Sequence, residues 1–270
     1  GGTTEMRICS IASGSSGNCV YVGSDTTHLL VDAGISRKRI EAGLNALELS
    51  LKDLDGILIT HEHSDHISGL GVLLKKREIP IYATGGTIRK MRQMDCLRHI
   101  PEDLFQEVRE EEHFTIKDVL VAPMQISHDA AQPAAYRFRH DKKWVGVLTD
   151  LGMYNDYTVE CMRGMDAILL EANHDVRMLE TGRYPYYLKQ RILGERGHLS
   201  NELSGRFLSR ILHDGMKAII LGHLSQENNL AELAYETVRL EISMADTVYQ
   251  GNDFPISVAK RSEVSEMIEV

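Results

Sequence analysis

The sequence predicts an α/β fold in which two β-sheets pack together and helices cover them on the outside. Two observations carry that expectation. Short apolar, β-branched runs recur along the chain, among them Ile57 to Ile59, Trp144 to Leu148 and Ala218 to Leu221, and each reads as a buried strand. Helical stretches separate these runs at intervals, with no Pro/Ser-rich linker and no low-complexity block between them. Residues 6–270 therefore read as a single domain, and Gly1 to Glu5, ahead of Met6, as a cloning remnant.

In chain order, Met6 to Ala12 reads as a strand, followed by a turn of small residues, Ser13 to Asn18. Cys19 to Val22 and His28 to Val31 continue as a strand pair that ends at Asp32-Ala33-Gly34. Ser36 is placed to cap a helix through Leu47. After the strand Ile57 to Ile59 come a helix (Ile67 to Leu74), a strand (Ile79 to Ala83) and a helix (Thr87 to Met94). From Phe105 onward the pattern turns to β, with strands over Phe114 to Ile116, Leu120 to Ile126, Ala135 to Phe138 and Trp144 to Leu148. Helices over Tyr154 to Met162, Leu203 to Leu212 and Leu230 to Ile242 then alternate with strands over Ala167 to Leu170 and Ala218 to Leu221. Thr247 to Tyr249 and Ile256 to Val258 read as closing strands.

At 270 residues, with 43% hydrophobic and 26% charged side chains, the chain can bury a sizeable core. No apolar run approaches the length of a membrane span and no apolar signal region opens the chain, so the expected setting is cytoplasmic, with no membrane partner. Cys9, Cys19, Cys96 and Cys161 fall at no metal or redox spacing; they read as reduced, buried thiols. The net charge of −9 argues against a broad, nonspecific grip on nucleic acid but not against a basic lip on a cleft. Arg37-Lys38-Arg39, Lys75-Lys76-Arg77 and Arg89-Lys90 with Arg92 are candidates for such a lip, although most such runs are solvated helix faces.

The chemistry gathers at Thr60-His61-Glu62-His63-Ser64-Asp65-His66. His61 and His63, two residues apart, cannot share a helix face, but on an extended or turning backbone they point the same way and can grip one ion. Asp65 and His66 turn off toward a second position, so the stretch reads as built for two metals. Further ligands belong where strands end, because loops there are held by a rigid scaffold. His128, Asp150 and His223 each follow a predicted strand.

In that order, His61-x-His63-x-Asp65-His66, His128, Asp150 and His223 resemble the ligand set of the metallo-β-lactamase superfamily. Ala12 to Asn18, Glu171 to His174, His198 to Asn201 and His223 to Asn229 look like its YycJ/WalJ-like branch. The resemblance implies a four-layer αββα sandwich and a bacterial, cytoplasmic hydrolase with nuclease activity. It also implies two divalent cations, with zinc favoured and manganese or iron possible for the same donors. Carried over residue by residue, His61, His63 and His128 hold one ion, Asp65, His66 and His223 the other, and Asp150 bridges. Diiron relatives that reduce oxygen carry a carboxylate where this chain has His63, which favours hydrolysis over redox chemistry.

The expected reaction is phosphodiester hydrolysis, exonuclease-like, on DNA or RNA. Asp65 and Asp150 orient an activated water held by the metals, and His198, outside the ligand count, contacts phosphate or protonates the leaving alkoxide. Asp32 is placed to brace a ligand histidine, or simply to make its turn. Asn18, Asn173, Ser225 and Asn229 are candidates to line the cleft and equally good capping or turn residues. A small-molecule or cyclic phosphodiesterase would keep the metals and His198 but need no basic track. A glyoxalase II-type thioesterase would share the ligands without needing His198. A secreted β-lactamase, a β-CASP nuclease with its inserted domain, and a non-catalytic scaffold each fit the chain less well.

Overall fold

A computed structural model describes residues 5–270, so the cloning-remnant expectation for residues 1–4 lies outside the described residues. Strands β1 (Arg7–Ala12), β2 (Cys19–Gly23) and β3 (His28–Val31) open the chain, and helix α1 (Arg37–Ala46) follows. Ser36 caps α1, its hydroxyl accepting the Arg39 N–H. Next come β4 (Gly56–Leu58), α2 (Ser64–Ile67) and α3 (Leu70–Lys76). The single helix expected over Ile67 to Leu74 is thus two, broken where the Gly69 N–H donates to Ala33 O at 2.8 Å. The chain continues through β5 (Ile81–Thr84), α4 (Gly85–Arg92), β6 (Phe105–Val108), β7 (Phe114–Ile116), β8 (Val119–Gln125), β9 (Ala134–His140) and β10 (Lys143–Leu148).

Helix α5 (Asp156–Met162) starts at Asn155, whose side chain accepts the Thr158 N–H, and β11 (Ala167–Glu171) follows. Then come α6 (Val176–Thr181), α7 (Tyr186–Leu193), α8 (Asn201–Ile211), β12 (Ala218–Gly222), α9 (Ala231–Met244), β13 (Ile256–Val258) and β14 (Ile268–Glu269). Thr247 to Tyr249 is not a strand. Val248 is exposed, and the Tyr249 N–H is taken by Thr247 Oγ1, so no face is buried and no ladder forms. Helices α6 and α7 and the short β14 are additional to the predicted elements.

The strands sort into two seven-stranded sheets, and the chain divides into two compact units. The described residues up to Gln125, with Ala130–Val145 and Lys260–Val270, form the first unit. Its sheet runs β14-β1-β2-β3-β4-β5-β6, antiparallel through β3 and parallel from β3 to β6. Strands β7, β8 and β9 form an antiparallel meander in the same unit. Ile40 and Leu44 of α1, Leu70 and Leu73 of α3 and Met91 of α4 join Ile11, Ile57 and Ile81 in one core. Each such side chain, fully buried, contributes ~1.5–3 kcal/mol.

Ile126–Asp129 and Gly146–Ala259 form the second unit. Its strands β11, β12 and β13 are parallel. β11 and β12 are buried throughout, as parallel strands covered on both faces must be, and Glu171 at the end of β11 is buried with them. No helix among the described residues is long and apolar enough to cross a membrane.

Candidate metal centre

In the first unit, four donors leave the end of β4 within one turn. The rings of His61 and His63 meet edge-on with centroids 4.5 Å apart, and those of His61 and His66 lie 4.1 Å apart. Asp32, at the end of β3, organises them from a left-handed backbone (φ 66°). Its carboxylate accepts the Thr60 N–H and hydroxyl, both at 2.8 Å, and His66 Nδ1–H at 2.6 Å. With the Thr60 hydroxyl proton given to Asp32, His61 Nδ1 is the donor in its 2.9 Å bond to Thr60 Oγ1. Asn18 seats the other side of the turn: its N–H donates to Asp65 O at 2.9 Å and its amide reaches Asp65 Oδ2 at 3.4 Å. Only glycine fits at position 34, because a Cβ there would stand 1.7 Å from Asp65 O.

The second unit collects its donors from separate strand ends and loops. Asp150 and His223 both follow strands on left-handed backbones (φ 55° each), a conformation that costs a non-glycine residue ~1–3 kcal/mol and clusters at working sites. Asp150, Glu171, His198 and His223 offer ligand atoms all within 4.8 Å of one another. Glu171 Oε1 accepts Nδ1–H from His198 at 2.5 Å and from His223 at 3.0 Å, while Oε2 accepts the Leu151 and Leu199 N–H groups at 3.0 and 3.3 Å. His128 donates Nδ1–H to Gly197 O at 3.0 Å. A Cβ at position 197 would stand 2.1 Å from Ile192 O, so that carbonyl can be offered only by glycine.

These hydrogen bonds test whether the donors suit a metal. His61, His66, His128 and His223 each have Nδ1 committed to a protein oxygen, which fixes the tautomer and presents Nε2 as the ligating nitrogen. Donors ~2.1 Å from one tetrahedral ion stand ~3.4 Å apart. His128 Nε2 and His223 Nε2 lie 3.6 and 3.5 Å from Asp150 Oδ1, and His66 Nε2 lies 3.4 Å from Asp65 Oδ2. These spacings are too long for good hydrogen bonds and right for ligands sharing an ion. The residues fit divalent cations.

Charge follows the same logic. Burial works to raise the Glu171 carboxyl, but the His198 and His223 imidazoles outweigh it and hold it down to about 2. Burial would lower His198; the Glu171 carboxylate, then Asp150, raise it above its ordinary value. His174 is pushed the other way, to about 4, chiefly by burial. Its Nδ1–H donates to Asn173 Oδ1.

A family model described as the beta-lactamase superfamily domain matches residues 27–223. The chain belongs to that superfamily. Within it, the chain is 42% identical to exodeoxyribonuclease YycJ of Bacillus anthracis over 233 residues, 86% of this chain and 88% of that one. It is 40% identical to exodeoxyribonuclease WalJ of Streptococcus pneumoniae over 260 residues, 96% of each chain. Among solved structures, the metallo-β-lactamase fold protein YhfI of Bacillus subtilis matches with a TM-score of 0.73 at 17% identity, covering 98% of this chain and 99% of that one. The fold is therefore the α/β sandwich of the superfamily, with helices flanking mixed sheets.

Other residues named from the sequence serve as braces. Asn173 donates its amide to His223 O at 2.9 Å, Ser225 Oγ accepts the Asn228 N–H, and Asn229 exchanges amide bonds with Asn201 while donating to Ala172 O. Glu62 accepts the Ala131 N–H. Four of the nine cations in the basic clusters of the first third are tied up: Arg37 and Lys76 both reach Glu41, Arg92 pairs with Glu102, and Arg77 donates to Lys52 O. Only two of the four thiols are buried: Cys9 and Cys19 are, Cys161 is half-buried and Cys96 is exposed, because the latter two lie on surface turns of helical segments rather than in strands. Glu171 was missed as a brace; at the end of an apolar run it carries no spacing signal of its own.

Proposed function

We propose that the two donor sets act on one pair of divalent cations and that the chain is a metal-dependent phosphodiester hydrolase, an exonuclease-like enzyme on nucleic acid with DNA ahead of RNA. On this reading residues 6–270 work as one metallo-hydrolase domain. His61, His63 and His128 would hold one ion, Asp65, His66 and His223 the other, and Asp150 would serve both; zinc suits the donors best, and manganese or iron would also be accepted. The 40–42% identity to two bacterial exodeoxyribonucleases, over most of their length, supports the nucleic-acid substrate. A bacterial cytoplasm is the setting that goes with it.

One observation carries the phosphoester reading: His198, partly exposed, is gripped through Nδ1 by the buried Glu171 carboxylate and lies 3.5 Å from Asp150. Bound divalent cations supply Lewis-acid charge for the phosphate oxygens and a more acidic water. The protein does the rest. With Nδ1 committed, His198 has Nε2 for the substrate, and the neighbouring carboxylates favour its protonated form. It can donate to a phosphate oxygen or pass a proton to the leaving alkoxide. Asp65 and Asp150 orient the attacking water. Asp32 and Glu171 hold imidazoles in one tautomer throughout.

The test is metal analysis of the purified protein together with a screen of DNA and RNA labelled at either end, bis-p-nitrophenyl phosphate, cyclic nucleotides and S-lactoylglutathione. Two divalent ions per chain and stepwise shortening of the labelled strand are expected. Turnover of S-lactoylglutathione with no phosphodiester cleaved would remove the reading, and cyclic-nucleotide turnover alone would move the substrate to small phosphodiesters.

A further inference from the structure

Helix α7 buries none of its residues, although helices of that length hold together in proteins mainly by burying a face. Tyr186 and Tyr187 stand 77% and 75% exposed on its first turn; Tyr157, also exposed, is only 36% so. Two adjacent aromatic rings left in water are a binding surface in want of an aromatic or apolar partner. Their surroundings say which. From Arg177 to Arg196 the chain carries five cations, Arg177, Arg183, Lys189, Arg191 and Arg196, against two anions, Glu180 and Glu195, with Arg191 paired besides to Asp129 at 3.4 Å. This local excess of positive charge sits in a chain of net charge −9. Arg177, Arg183 and Arg196 are exposed.

The helix is tied to the residue that carries the phosphoester reading. Ile192 O accepts the His198 N–H at 3.0 Å. Leu193, the last residue of α7, lines a cavity of about 270 Å³ that His198, His174 and Arg206 also line. A group laid along α7 would therefore lead into the space beside His198.

We propose that α7 is a stacking platform for a single-stranded stretch of the nucleic-acid substrate, with unpaired bases on Tyr186 and Tyr187 and the neighbouring arginines on its phosphates. The inference rests on the phosphodiesterase reading and names the form of substrate that site takes. Stacking requires base faces that a duplex keeps covered, and it tolerates any sequence because every base has a π-face. A second copy of the chain meeting this face about a two-fold axis would bring its positive charges against themselves.

The experiment compares the metal-loaded wild type with Y186A/Y187A and Y186F/Y187F. Affinity is read by fluorescence anisotropy with a phosphorothioate-linked single-stranded DNA 12-mer and with a blunt duplex of the same sequence. Turnover of bis-p-nitrophenyl phosphate, which has no chain to lay along α7, reports the basal chemistry, and light scattering reports the oligomeric state. Stacking is worth a few-fold to about a hundredfold per base, so the alanine pair should weaken single-strand binding at least about tenfold and duplex binding much less. The phenylalanine pair should stay within about twofold of wild type. Small-substrate turnover and melting temperature should not move. Unchanged single-strand affinity in the alanine pair overturns the proposal, as does an equal loss on single strand and duplex. A change of oligomeric state with affinity intact assigns the face to self-association and overturns it too. A wild type that cleaves no phosphodiester at all would sink the parent reading instead, and the anisotropy comparison would still stand by itself.

Discussion

The two units build their donor sets in opposite ways. In the first, His61, His63, Asp65 and His66 leave one strand end within six residues, and a single carboxylate from the neighbouring strand, Asp32, braces them. In the second, His128, Asp150 and His223 come from three separate places in the chain, and the buried Glu171 ties His223 to His198, which stands outside the ligand set, from 52 and 27 residues away. A local turn can be positioned by its own backbone and one partner. A dispersed set needs a shared anchor, and the anchor carries correspondingly more of the geometry.

That contrast can be broken at several points. Replacing His61 and His63 together by alanine should cost about a thousandfold or more in metal-dependent phosphodiester turnover, since it strips two ligands from one turn. Full activity in that variant would end the metal reading. The braces should differ next: Glu171→Gln lowers activity or metal affinity by about a hundredfold, and Asp32→Asn by about tenfold, because Glu171 orients two imidazoles and Asp32 one. Equal losses, measured as kcat/KM and by metal titration, would erase the proposed difference between the units.

A pH series on metal-free protein sharpens the same point. Glu171 is held below its ordinary 4.5, so its interactions stabilise the fold fully above that value and are lost as pH falls toward about 2. His198 is raised above 6.5, so its contribution is complete below 6.5 and is lost as pH rises through its folded value. The melting deficit of Glu171→Gln, on the order of 5 °C, should therefore be widest between pH 4.5 and 6.5 and narrow on both sides. A deficit independent of pH would mean that the charge pair contributes nothing. Smallest of all, Lys76→Ala or Arg92→Ala should change oligonucleotide cleavage by less than about twofold, because both cations already sit in exposed ion pairs of little energetic weight.

The sequence alone determined what depends on neighbours along the chain. The strand ends before Asp32, His61, Asp150 and His223 were legible because buried strands are short apolar runs, and the His61–His66 turn because its donors are consecutive. Alternation failed at Thr247 to Tyr249, where Val248 faces solvent and local hydrogen bonds replace a ladder. It gave no helix at α7, none of whose residues is buried. Only the tertiary structure decided that Glu171 is a fully buried carboxylate with four donors converging on it, and which nitrogen of each bracing histidine is committed. Burial and hydrogen-bond partnership are properties of groups brought together across long stretches of chain, and no spacing rule along the backbone records them.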